Sequence, residues 1–212
     1  MKINKITRTG SAVASLALLL GVGLAACGSE DTMSGSDGGS KTSESTEAAP
    51  EESEAGSETF GEGCKLIPAD GAGSFNGMST APVASAASAN PLLKTLVSAV
   101  GEAELVDTLN GADALTVFAP TDDAFKKIPK ADMDAVMADK EMLTKVLTHH
   151  VVAGQLGPDE VAGEHETLAG DMITVKGSGE EFTVGKENAK VLCGNIPTAN
   201  ATVYVVDTVL MP

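Results

Sequence analysis

Apolar and polar positions divide the chain into three zones with different periods. Ser11 to Ala26 is a stretch of small and apolar residues behind Lys2, Lys5 and Arg8, shorter than the roughly 20 apolar residues that span a bilayer. From Gly28 to Phe60 no aliphatic run occurs, and Ser, Gly, Glu, Thr and Ala dominate. Cys64 to Thr80, rich in Gly, Pro, Ala and Asn, reads as an ordered arm with neither helical nor strand period. Helical spacing begins after Asn90-Pro91. Leu92, Leu93, Leu96, Val97 and Val100 share a face, with Asn90 at the cap and Pro91 at the first helical position. Leu115 to Ala119 reads as a short strand stopped by Pro120, and Thr121-Asp122-Asp123 opens a helical turn carrying Phe125. Met133, Val136 and Met137, then Leu143, Val146, Leu147 and His150, mark two amphipathic helices whose apolar stripes are core-filling. The last third changes to period two. Met172 to Lys176, Gly177-Ser178-Gly179 and Glu181 to Val184 form a hairpin, and Thr202 to Val206 a final buried strand. Helices first and strands later predict an α+β fold.

The leader reads as an export signal. Leu24-Ala25-Ala26-Cys27 resembles the lipobox of bacterial lipoproteins, which implies a diacylglyceryl group on Cys27 and cleavage before it; the plainer alternative is a secretory signal with an incidental cysteine. The expected organisation is a signal peptide over 1–26, a lipidated cysteine with a disordered acidic tether over 27–60, and one domain over 61–212. Residues 28 to 60 carry nine acidic side chains against Lys41, a net of −8, and too little apolar surface to offset the entropy of ordering.

Charge narrows the partners. The formal net charge is −16, and residues 61–212 alone contribute −11. The lysines are dispersed except for Lys126, Lys127 and Lys130, so a phosphate backbone finds no basic patch. With no Trp, one Tyr and five Phe, stacking platforms are also scarce. Nucleic acid is excluded on these grounds. Cys64 and Cys193 remain after Cys27, and in an exported chain the expectation is that they pair. Two buried thiols or a zinc site are the alternatives, and neither a CxxC spacing nor a nearby His pair favours zinc.

Three separated blocks carry a family resemblance. Leu115-Thr-Val-Phe-Ala-Pro-Thr-Asp-Asp-Ala-Phe125 resembles the first signature block of the fasciclin domain, and Ala201-Thr-Val-Tyr-Val-Val-Asp-Thr-Val-Leu-Met-Pro212 its second. Val146-Leu-Thr-His-His-Val-Val-Ala-Gly154 is similar to the central Tyr-His block, with His149 where the family usually has tyrosine. Gly61 to Cys64, Asn76 to Met78 and Val191 to Gly194 extend the similarity over most of 61–212, toward the secreted and lipid-anchored fasciclin antigens of mycobacteria. The resemblance implies a single wedge or sandwich of β-strands with packed helices, a disulfide joining the ends of the domain, and recognition by innate receptors where there is a host. With His149 in that place, the tyrosine hydroxyl and its hydrogen bond are missing from the central block.

Catalytic signatures are absent from the sequence: no GxSxG, HExxH, Walker loop or GxGxxG occurs. No enzymatic activity, cofactor or metal is expected. His150, at the end of an apolar stripe, reads as a hydrogen-bonded core histidine, and adjacent His149 cannot share its face on a helix or strand. Asp122-Asp123, Asp132 with Asp134, and Glu180-Glu181 read as solvated faces or helix starts, and Gly163 to Thr167 as a surface loop. Asn200-Ala201-Thr202 matches a glycosylation sequon but leads into a buried strand. The expected function is a cell-surface, lipid-anchored adhesion or protein-interaction module. It would meet an envelope, matrix or host protein, with 121–148 the first surface to examine. The alternative is a binding protein for a small apolar molecule or envelope lipid, held in a crevice between the helices and the strands.

Overall fold

The computed structural model describes residues 54–212. The leader 1–26, Cys27 and the tether up to residue 53 lie outside the described residues.

One mixed sheet organises the domain. Its strands are β1 (Leu115–Pro120), β2 (Val151–Ala153), β3 (Gly163–Glu166), β4 (Met172–Ser178), β5 (Glu181–Val184), β6 (Ala189–Pro197) and β7 (Ala201–Val206), in the order β2-β1-β7-β6-β5-β4-β3. Only β1 and β7 run parallel. A bridge between Val152 and Thr167 brings β2 beside the end of β3, so the sheet nearly closes on itself. Seven helices lie against it: α1 (Phe75–Ser79), α2 (Val83–Ala89), α3 (Lys94–Glu102), α4 (Val106–Gly111), α5 (Asp122–Lys126), α6 (Lys130–Ala138) and α7 (Lys140–His149). An α+β domain of helices on a strand wedge is therefore what the chain builds.

Strands β1 and β7 are buried at nearly every position because both faces of the sheet are covered, as in sheets packed on two sides. Side chains alternate between two cores. Val117, Ala119, Val203 and Val205 enter a core shared with the helices. Phe118, Tyr204 and Val206 enter the wedge interior with Phe60, Phe182, Val184 and Leu210. Burying such a set is the main favourable term in folding, at roughly 25 cal/mol per Å² of apolar surface.

Cys64 and Cys193 are joined by a disulfide across 129 positions of sequence. It ties a short 3-10 helix, Glu62–Leu66, to β6. Beside it the chain makes a second tie, with Phe60 and Gly194 exchanging two backbone hydrogen bonds. Gly194 has to be glycine, because a Cβ there would lie 2.3 Å from the Phe60 ring.

Several sequence expectations are corrected. Phe60, assigned to the tether by composition, belongs to the wedge core, with its ring 5.4 Å from that of Phe182, so ordered structure begins before residue 61. The arm from Cys64 to Thr80 is largely helical turns, including α1, capped by the Ser74 hydroxyl accepting from Gly77 N–H. Asn90 does not cap a helix at Pro91. Its side chain accepts from Leu92 N–H in a turn, and α3 starts at Lys94 with Thr95 N–H donating to the Asp122 carboxylate at 2.7 Å. Gly163 to Thr167 is a strand and its exit, with β3 exposed along the sheet end.

Candidate functional site

His149 is the last residue of α7 and His150 its C-cap, leading into β2; as consecutive residues of a helical turn they point in different directions, with ring planes 86° to each other. His150 is fully enclosed. Its Nδ1–H donates to Val146 O at 2.8 Å, and its Nε2 accepts from Leu210 N–H at 2.9 Å. Burial, aided by the neighbouring His149, lowers its pKa to about 4 despite the bond to Val146, so the ring is neutral at physiological pH and has no nitrogen left for a ligand.

His149 is buried too, and its Nδ1 lies 2.8 Å from Asp171 Oδ1. The Thr167 hydroxyl donates to the same carboxylate oxygen. Burial raises the pKa of Asp171, but the bonds from Thr167 and His149 outweigh it and hold the carboxyl below its ordinary range. This set joins the end of α7 to the turn between β3 and β4. It is not a nucleophile-histidine-carboxylate relay, since the hydroxyl bonds the carboxylate and not the imidazole. The turn closes itself through Thr167 N–H to Asp171 O and Gly170 N–H to Thr167 O, and it is pinned to β2 by Leu168 N–H to Val151 O. Sequence reasoning missed Asp171 and Thr167, which lie on a different element from the histidines and belong to no chemical motif.

Leu168, carried by this turn, is 44% exposed, and Val106 of α4 is 38% exposed. Both stand on the rim of one groove. Its walls are Ala84 and Ala87 of α2, Val97 and Val100 of α3, and Leu109 of α4. Val117 of β1, with Leu147 and His150, closes the other side. The groove has a volume of about 60 Å³, and its surface is almost wholly apolar. Two smaller voids, about 20 and 30 Å³, lie elsewhere in the same helix-side core. An open concavity of about 1010 Å³ lies at the opposite region, around Phe60 and Phe182, where Lys65, Lys176 and Lys190 are matched by Glu62, Glu180 and Glu181.

The remaining sequence candidates resolve as structure. Lys126 pairs with Asp123 at 2.7 Å and Lys127 with Asp207 at 3.0 Å, so two of the three clustered lysines have acidic partners within the domain. Asp122 caps α3, Asp123 serves Lys126, and Asp132, Asp134, Glu180 and Glu181 are exposed. Among the described residues no group of three or more His, Cys, Asp or Glu is placed to hold a metal. Asn200 is buried. It accepts from Val83 N–H and donates to Leu109 O and Ala112 O, bracketing α2, α4 and β7, with no amide nitrogen free for a glycan. Cys27 lies outside the described residues.

A model of the fasciclin domain matches residues 91–212. The cell surface glycolipoprotein MPB83 of Mycobacterium bovis is 48% identical over 161 residues, covering 72% of this chain and 72% of that protein. The immunogenic protein MPB70 of Mycobacterium bovis is 47% identical over 166 residues, covering 74% and 84%. A solved FAS1 domain pair from the insect cell adhesion molecule fasciclin I superposes with a TM-score of 0.47 at 19% identity, covering 56% of this chain and under half, 45%, of that one.

Proposed function

Since the chain belongs to the fasciclin domain family, we propose that it is an extracytoplasmic, lipid-anchored protein that presents this domain at the cell surface as an adhesion or protein-interaction module. The observation that carries the reading is the 48% identity to a protein named a cell surface glycolipoprotein. The leader ending in Leu24-Ala25-Ala26-Cys27 supports it from this chain's own residues. A diacylglyceryl group on Cys27 supplies two hydrocarbon chains, enough for stable anchoring, and the acidic residues that follow space the domain from an anionic bilayer.

Within the domain, the rim of the apolar groove is a better contact surface than the lysines of 121–148. Lys126 and Lys127 already have acidic partners, whereas Val106 and Leu168 are exposed apolar side chains beside one concave site. Fractionation of cells expressing Cys27→Ser tests the anchor. The variant should leave the membrane fraction or accumulate as uncut precursor, and wild-type fractionation and migration would refute it. Immobilised domain that retains no envelope, matrix or host protein, even with the groove rim intact, would refute the interaction role.

The groove favours a second reading, a carrier of an apolar molecule. Native mass spectrometry with solvent extraction distinguishes the two, since a carrier holds its ligand stoichiometrically and an adhesion module is empty.

A further inference from the structure

We propose that residues 54–64 act as a mechanical clamp, which passes tension arriving along the chain from its anchored end to β6, in the middle of the sheet, and keeps that tension off the helices α1–α4. The inference rests on the proposed anchor at Cys27 and the proposed interaction role, since a domain fastened at one end and gripped by a partner is a domain under load.

The order of elements exposes the helices to such a load. The described residues start at Glu54, and the first strand, β1, starts only at Leu115. Between them lie α1, α2, α3 and α4, of 5, 7, 9 and 6 residues. Helices shorter than about 12–15 residues have little stability of their own in water, so each would uncoil once pulled off the sheet. Tension entering at Glu54 and left unchecked would meet these four helices in series and peel them away one at a time.

Two ties intercept the load before it reaches them. The first is noncovalent. Phe60 N–H donates to Gly194 O at 3.3 Å and Gly194 N–H to Phe60 O at 2.8 Å, while the Phe60 ring lies 5.4 Å from that of Phe182 and 6.2 Å from that of Tyr204. The Asn195 amide adds a hydrogen bond to Glu58 O at 3.1 Å. Backbone lies directly on backbone here: Gly61 has φ 103°, and a Cβ on it would stand 2.3 Å from Leu192 O. The second tie is the disulfide from Cys64 to Cys193. It fastens the far end of the same segment, so peeling that begins at Glu54 has to stop at Cys64. Strand β6 is paired on both sides, with β5 and with β7. Tension delivered at Cys193 is therefore shared between two backbone ladders, and residues 65–114 lie inside the loop that the disulfide closes, off the direct path to β6.

Single-molecule force measurements test the clamp on the full chain carrying Cys27→Ser and Asp113→Cys. One handle is attached at the N-terminus and the other on the new thiol, at an exposed position just before β1. With the disulfide intact, the first event should be a short extension of about 35 Å as residues 54–63 lift off, followed only at higher force by rupture of the sheet. Adding Cys64→Ser with Cys193→Ser should at least halve the force of the main extension, which should become a separate step of up to about 170 Å as residues 64–113 uncoil ahead of the sheet. If the serine pair does not fold, the same comparison is made on the folded, disulfide-bonded chain after reduction with a dithiol. Phe60→Ala, with the disulfide kept, should lower the force of the short step at least twofold and leave the main rupture unchanged, because the ring has left the core by then. Equal main forces with and without the disulfide, or a long step ahead of sheet rupture in the oxidised chain, would overturn the clamp. A short step unchanged in Phe60→Ala would overturn the assignment of the first tie. The handles stand in for membrane and partner, so failure here counts against the clamp alone, and failure of the anchor shows only in the fractionation of Cys27→Ser.

Discussion

Tyr204 and Val205 are neighbours in β7, both almost fully buried, yet they enter cores built in different ways. On the Tyr204 side, Phe60, Phe118, Phe182 and Tyr204 form tilted ring contacts between 5.4 and 6.2 Å, surrounded by Val and Ile from paired strands. On the Val205 side the sheet meets short helices lined by Ala, Val, Leu and Met, and the apolar groove and two smaller voids border that layer. Rings fill space and hold one arrangement through edge and face geometry. Short helices with small side chains leave gaps, because few residues per helix are available to interdigitate. The wedge thus serves as scaffold, and the helical layer holds small apolar spaces, whereas the open concavity around Phe60 and Phe182 is lined by charged side chains at the surface.

The largest effect should come from cutting into the scaffold. Phe182→Ala removes a ring that is 3% exposed and should cost about 4 kcal/mol by chemical denaturation. A loss below about 1 kcal/mol would mean that the wedge core is as loosely packed as the helical one.

Acid comes next, because His150 joins the two regions by lining the groove while accepting from Leu210 of the wedge core. Its pKa is about 4 in the folded protein and near 6.5 unfolded, so between those values the unfolded chain binds the proton more readily. Stability therefore rises with pH across that window, and about 3 kcal/mol present at pH 7 is lost as pH falls through it. Asp171 and Asp207 extend the loss to lower pH. Burial opposes ionisation in each, but Thr167 with His149, and Lys127 with Lys190 N–H, hold their pKa values down. Denaturation midpoints measured from pH 7 to 4 read this directly, and a flat profile would remove His150 from its neutral role.

A matched pair of additions gives a finer contrast. Ala189→Leu crowds the wedge core and should cost about 2 kcal/mol, whereas Ala84→Leu at the groove should cost less than about 1 kcal/mol because a void receives it. Equal costs would deny the difference in packing. The smallest effect belongs to the surface. Lys126→Ala breaks an exposed pair with Asp123 and should leave the melting temperature unchanged.

The parts of this architecture that were legible in the sequence are those whose partners are local or whose period is regular. The stripes of α3 and α7, the strand β1 with its Thr121 cap, the β4–β5 hairpin and β7 all follow from spacing. Alpha2 was hidden because Val83 to Ala89 is nearly all Ala and Ser, with little contrast between faces. Beta6 was hidden because irregular pairing between Val191, Cys193 and Ile196, with Asn195 in a left-handed conformation, breaks the alternation that marks a strand. Beta3 has no buried residue to give it a pattern. At the site, His150 could be read as a core residue from its stripe. Its neighbour could not, since the partners of His149 come from a turn about twenty positions away, and the Asp122 cap of α3 comes from 27 positions beyond Thr95. Such pairings are set by tertiary packing and leave no local trace.

Amide hydrogen exchange of the full chain at neutral pH tests the division between the ring-packed wedge and the helical layer most directly. Amides of β1, β6 and β7 should exchange only through global unfolding, while those of α2, α3 and α4 should exchange faster through local opening. Equal protection of helices and strands would contradict it.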